Sequence, residues 1–178
     1  MPEKTYLFSN DITRDSFLLA REILDSGYQP DAVIALWRGG TPIGIAIQEF
    51  FKVKGIRCYH TAVKCTSYTG IEESGAPVVE NLGNVLEHLT PETRVLVVDD
   101  IFDTGRTAKC MYDILTRVTP HVRIATLYFK PSRNTTDMKP DYYIHVTDKW
   151  IVFPHELDGL TEEEIREKDP FIHRLLYR

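Results

Sequence analysis

Residues Val95-Leu96-Val97-Val98-Asp99-Asp100-Ile101-Phe102-Asp103-Thr104-Gly105-Arg106-Thr107-Ala108 set carboxylates, hydroxyls, a glycine and an arginine directly behind a strongly apolar run. Adjacent anions at the tip of a buried strand are costly unless a cation or a hydroxyl-rich ligand meets them. The turn that follows, Thr104 to Thr107, supplies hydroxyls, a flexible glycine and the unpaired N–H groups of a helix start, which together form an anion site that a phosphate fits. A Walker A loop does not describe it, because GxxxxGK[ST] is absent and the turn holds no lysine. An acidic surface turn ahead of a well-capped helix is the plainer alternative, and it leaves the coincidence of these groups at one junction unexplained.

A second candidate is Trp37-Arg38-Gly39-Gly40-Thr41. Its two glycines let the backbone approach an anion closely, and Arg38 adds a fixed positive charge. Taken alone, such a turn also suits an ordinary strand-to-helix loop.

Both segments need a scaffold that presents strand ends side by side. Apolar, β-branched-rich runs at Ala32–Leu36, Val95–Val98 and Ile124–Tyr128 alternate with helix-like stretches at 12–24, 41–51 and 107–118. Weaker strands are expected at 57–63 and 142–146. This alternation predicts an α/β fold with an open, mostly parallel twisted sheet and helices on both faces. In such sheets ligands bind beyond the carboxyl ends of the strands, where Asp99 and Asp100 fall. Residues 66–82, rich in glycine with a proline among acidic residues, read as a long mobile connection. Thr161-Glu162-Glu163-Glu164 is a capping-box helix start, and beyond Pro170 an apolar tail is expected to pack on the domain or on a partner subunit.

The 178 residues suffice for one domain. No run of about eighteen apolar residues and no signal-type N-terminus is present, so a soluble, cytoplasmic protein with no membrane partner is expected. The net charge of −5 and the lack of a basic stripe argue against nucleic acid as a partner. Cys58, Cys65 and Cys110 are odd in number and lack metal-ligand spacing, so they read as packing residues in a reducing compartment.

The segment Val95–Thr107 resembles the signature of the type I phosphoribosyltransferases: an apolar run, two acids, two apolar residues, then D-[ST]-G-x-T. The resemblance implies that Asp99 and Asp100 hold the ribose hydroxyls of phosphoribosyl pyrophosphate, directly or through Mg²⁺. It also implies that Asp103, Thr104, Gly105, Arg106 and Thr107 wrap the 5-phosphate. Trp37–Thr41 resembles the family's pyrophosphate loop, with Arg38, Gly39 and Gly40 as ligands, a loop that often contains a non-proline cis peptide in relatives.

Further markers resemble the 6-oxopurine branch, the short xanthine-guanine type above all. Ser67-Tyr68 matches the start of its catalytic loop, Lys130 the lysine that donates to the purine 6-oxo group, and Asp148–Pro154 the segment that sandwiches the base. In that segment Trp150 would stack on the purine and Ile151 offer main-chain contacts. The sequence departs at His155, where an aromatic residue is common, and this bears on a metal contact for Glu156. The resemblance thus implies one phosphoribosyltransferase domain over 1–178 with a small hood from the chain ends, a flexible catalytic loop at 66–82, and hood and C-terminal tail at 140–178. It implies Mg²⁺ as cofactor, phosphoribosyl pyrophosphate and a purine base as partners, a homodimer or homotetramer, and Asp103 as proton acceptor. A sensor that keeps the pocket without the chemistry, or an enzyme for another base, are the alternatives.

Overall fold

In the computed structural model, residues 4–66, 69–70, 73–74 and 78–178 are described. In chain order the elements are β1 (Lys4–Tyr6), α1 (Ser9–Asp25), β2 (Ala32–Trp37), α2 (Gly40–Val53), β3 (Tyr59–Thr66), β4 (Thr69–Gly70), β5 (Glu73–Ser74), β6 (Val78–Glu80), α3 (Leu82–Leu86), β7 (Val95–Phe102), α4 (Arg106–Leu115), β8 (Val122–Phe129), β9 (Tyr142–Val146), β10 (Trp150–Val152), α5 (Glu162–Lys168) and α6 (Pro170–Leu176).

The central sheet has the order β6-β3-β2-β7-β8-β9. Only β6 runs antiparallel to its neighbour; the other pairings are parallel, as in the α/β sheet expected from the alternating runs. β2 and β7 lie in the middle, and their apolar runs are buried on both faces, as a parallel sheet covered on each side requires. One face carries Ile34, Leu36, Val63, Val95 and Val97 against Ala108, Met111 and Leu115 of α4. α1 buries Ile12, Ser16, Leu19, Ala20 and Ile23, a stripe at helical spacing, and the Ser16 hydroxyl donates to the Ile12 carbonyl.

Several boundaries differ from expectation. The α4 helix stops at Leu115 rather than 118, because Arg117 and Val118 donate to Ile114 and Leu115 in tighter three-residue turns. Within 66–82, β6 pairs with β3 in the register Lys64↔Glu80, Cys65↔Val79 and Thr66↔Val78, and α3 opens after Asn81 at φ 62°. The expected catalytic loop otherwise lies largely outside the described residues, Ser67 and Tyr68 included.

The chain divides into two compact units, Asn10–Asp148 and one built from the segments that end at Ser9 and begin at Lys149. The boundary falls at 148 rather than near 140, since Tyr142–Val146 is the sixth strand of the central sheet, paired with β8. The smaller unit exists because the chain ends pair with each other: β1 runs parallel to β10, with Thr5 opposite Ile151. The capping box at Thr161 is formed, and Lys168 donates to the carbonyls of Phe153 and Glu156. Phe171, Leu175 and Leu176 of the tail remain exposed on this chain.

Candidate active site

The tip of β7 delivers Asp99 and Asp100 to a cavity of about 190 Å³, which Asp103, Thr104, Gly105 and Thr107 also line. Asp100 is 9% exposed, and its backbone N–H donates to Asp99 Oδ1 at 3.0 Å. As a residue Asp99 is half-buried, yet its carboxyl is surrounded by protein; that burial, and secondly the charge of Asp100, push its pKa well above the usual carboxylate range. The pair is thus an acidic centre in which two carboxyl groups stand side by side at low exposure. Such a donor set fits a divalent cation.

The cavity continues into the start of α4. Gly105 has φ 78°, a left-handed turn that lets the chain leave β7 and enter the helix at once. The first helical bond runs from the Lys109 amide to the Gly105 carbonyl, so the N–H groups of the first turn open beside Thr104 and Thr107. One small cavity therefore brings together the carboxylate pair and the anion cradle.

The loop after β2 reaches the same place. The Trp37-Arg38 peptide is cis. A Cβ on Gly39 would fall 1.8 Å from Asp100 Oδ2, and one on Gly40 would fall 2.2 Å from the Val98 carbonyl oxygen, so both glycines lie flat against the end of β7. Thr41 secures the turn by donating its hydroxyl to the Arg38 carbonyl at 2.6 Å. The Arg38 side chain is exposed and makes no ion pair among the described residues.

Lys130 closes β8, and its amide donates to the Phe102 carbonyl at 2.9 Å. It is 7% exposed, and among the described residues its ammonium has no hydrogen-bond or ion-pair partner. The stem is buried while the ammonium at its tip keeps some contact with solvent, which leaves it open to a ligand acceptor.

In the smaller unit, Trp150 is exposed on β10 while the Ile151 side chain is core, leaving only its main chain for any ligand. Glu156 uses Oε2 to accept the Phe153 amide at 3.0 Å, a local turn contact.

Arg133 had no sequence signal. Its Nε stands 2.7 Å from Asp103 Oδ1. That oxygen is otherwise buried and receives no aligned hydrogen bond from the described residues, so the contact is an ion pair rather than a hydrogen bond.

The phosphoribosyl transferase domain model matches residues 10–159. The chain belongs to this family. The phosphoribosyltransferase resembles the crystal structure of a purine phosphoribosyltransferase from Pyrococcus horikoshii Ot3, with 29% identity, 89% of this chain and 97% of the other covered, and a TM-score of 0.73. A Neisseria gonorrhoeae protein solved with bound ppGpp matches at 24% identity over 96% and 98% of the two chains, with a TM-score of 0.74. The xanthine-guanine-hypoxanthine phosphoribosyltransferase of Helicobacter pylori matches at 21% identity over 96% and 100%, with a TM-score of 0.65. The phosphoribosyltransferase is accordingly a pentosyl-transferring enzyme on a fold these proteins share, and among its described residues no helix is long and apolar enough to cross a membrane.

Proposed function

We propose that this enzyme joins a free 6-oxopurine (hypoxanthine, guanine or xanthine) to phosphoribosyl pyrophosphate, releasing pyrophosphate and giving a nucleoside monophosphate for purine salvage. The observation that carries the choice of base is Lys130, whose buried stem ends in an ammonium with no hydrogen-bond or ion-pair partner among the described residues, set one hydrogen bond from the strand that leads into the Asp103–Thr107 turn. An ammonium donates to a 6-oxo oxygen, whereas the 6-amino group of adenine is itself a donor. The 29% identical purine phosphoribosyltransferase of Pyrococcus horikoshii supports a purine as the acceptor.

The 5-phosphate would rest on Thr104, Gly105, Arg106 and Thr107, the ribose hydroxyls on Asp99 and Asp100, and the pyrophosphate on Arg38 and the Gly39 and Gly40 amides. Mg²⁺ fits the carboxylate pair; among the described residues no group of three His, Cys, Asp or Glu side chains converges, so Asp99 and Asp100 would share the ion with ligand oxygens, and it would offset the charge of the leaving pyrophosphate. Departure of pyrophosphate leaves cationic character at the sugar C1, which the purine nitrogen attacks. Asp103 takes the purine proton from N7, a transfer of the kind worth about 10²–10⁴-fold in rate. The family reading adds a cytoplasmic homodimer or homotetramer.

The test is a panel of bases offered with phosphoribosyl pyrophosphate and Mg²⁺ while pyrophosphate release is followed. Turnover is expected with 6-oxopurines and little with adenine or uracil. Release with a pyrimidine alone overturns the choice of base, and no release with any base favours a sensor.

A further inference from the structure

The segment after Lys130 clasps the phosphate loop from one side. The Lys130 amide holds the Phe102 carbonyl, and the amide and hydroxyl of Thr135 both donate to the Thr104 carbonyl, at 3.0 and 3.1 Å. Thr136 Oγ1 stands 2.7 Å from where a Cβ on Gly105 would lie, so it fills the space that the glycine leaves. Between these anchors a 3₁₀ turn, Pro131–Arg133, brings the guanidinium to Asp103.

The ion pair does little for stability. With side-chain exposures of 53% and 35%, it falls in the class that contributes about 0–1 kcal/mol. Its effect on geometry is larger. Asp103 belongs to a loop built to receive an anion, so its carboxylate is repelled by the phosphate it neighbours, and a cation fixed on one side offsets that repulsion. Oδ1 is buried under Arg133, which leaves Oδ2 as the oxygen able to meet a ligand.

We propose that Arg133 is a positioning residue for proton transfer: it holds Asp103 Oδ1 so that Oδ2 is presented to the attacking purine. This rests on the reading of Asp103 as proton acceptor. Because the brace also carries Lys130, the group that reads the base and the group that takes its proton are set by one rigid segment.

The test is a double-mutant cycle on the full chain with kcat and the KM for phosphoribosyl pyrophosphate measured for each protein. Asp103→Asn should lower kcat by about 10²-fold or more. Arg133→Ala should lower kcat by about 10–10²-fold, the scale of a misplaced catalytic group, while the KM stays within about twofold. Arg133→Lys should recover most of the loss, and Arg133→Ala should add nothing in the Asp103→Asn background, since the residue acts only through that carboxylate. A raised KM with unchanged kcat makes Arg133 a phosphate ligand instead and overturns the proposal. So does a loss that multiplies with that of Asp103→Asn, or no loss at all. Full turnover in Asp103→Asn removes the underlying reading of Asp103, and the role of Arg133 with it.

Discussion

Gly39 and Asp100 exclude one another's enlargement: a Cβ at position 39 would fall 1.8 Å from Oδ2 and 2.2 Å from Cγ of the carboxylate. The loop after β2 and the end of the adjacent parallel strand β7 therefore fix each other beside the cavity that Asp100 lines. Gly39→Ala must displace the Asp100 side chain, and kcat/KM for phosphoribosyl pyrophosphate should fall by about 10²-fold with only a small change in melting temperature. Gly40→Ala meets the Val98 carbonyl, which cannot swing aside, so thermal unfolding should show a loss of about 1–3 kcal/mol. Unchanged kinetics in Gly39→Ala would separate the carboxylate from the ligand.

How much of this was legible in the sequence follows from range. The strand, acid pair and phosphate turn of 95–107 are contiguous, so their composition states their geometry, and the structure sets them round one cavity. Lys130 was legible only by its resemblance to the lysine of the 6-oxopurine branch, since an apolar run ending in a lysine is by itself an ordinary strand end. Arg133 was not, because its meeting with Asp103 depends on β8 lying beside β7, a tertiary adjacency that no local pattern encodes. The pairing of β1 with β10 escaped for a related reason: strands of three residues carry no readable period, and their partners lie at opposite ends of the chain. Helix α3 was hidden because Asn81 starts it from a left-handed conformation, inside a stretch whose glycines suggested a loop.

Asp99 makes stability depend on pH with a definite sign. Its carboxyl, raised by burial and by the charge of Asp100, binds protons more tightly in the folded state than in the unfolded chain. Its contribution therefore favours folding below the ordinary carboxylate range, near pH 4, and is lost as pH rises through the folded value. The ligand-free Asp99→Asn protein, kept in chelator, should be more stable to urea than the parent near pH 8, and the two should converge near pH 4. A gap of equal size at both ends would mean that this carboxyl is not the source.

Lys130 separates binding from stability. Lys130→Met removes the ammonium proposed to donate to the base, a loss of about 1.5–3 kcal/mol, so the KM for a 6-oxopurine should rise by about 10–10²-fold. The same change breaks no hydrogen bond or ion pair of that ammonium among the described residues, so the melting temperature of the ligand-free protein should hold. Steady-state kinetics with hypoxanthine and a thermal scan check both. A drop in melting temperature with an unchanged KM would make this lysine a structural residue.

The smaller unit offers a test of its own cohesion at Thr161. Its hydroxyl accepts the Glu164 amide at 3.3 Å while Glu164 Oε2 accepts the Thr161 amide at 2.9 Å, and the other carboxylate oxygen meets Lys4 near the start of the chain. Thr161 thus caps one of α5's first amides, while Glu164 ties the helix start to the strand paired with β10. Thr161→Ala should cost about 1 kcal/mol and Thr161→Ser very little, because only the hydroxyl is used. Hydrogen exchange is the direct readout: the Glu164 amide should lose protection in the alanine variant and keep it with serine, and equal exchange in both would show that the cap does not hold the helix start.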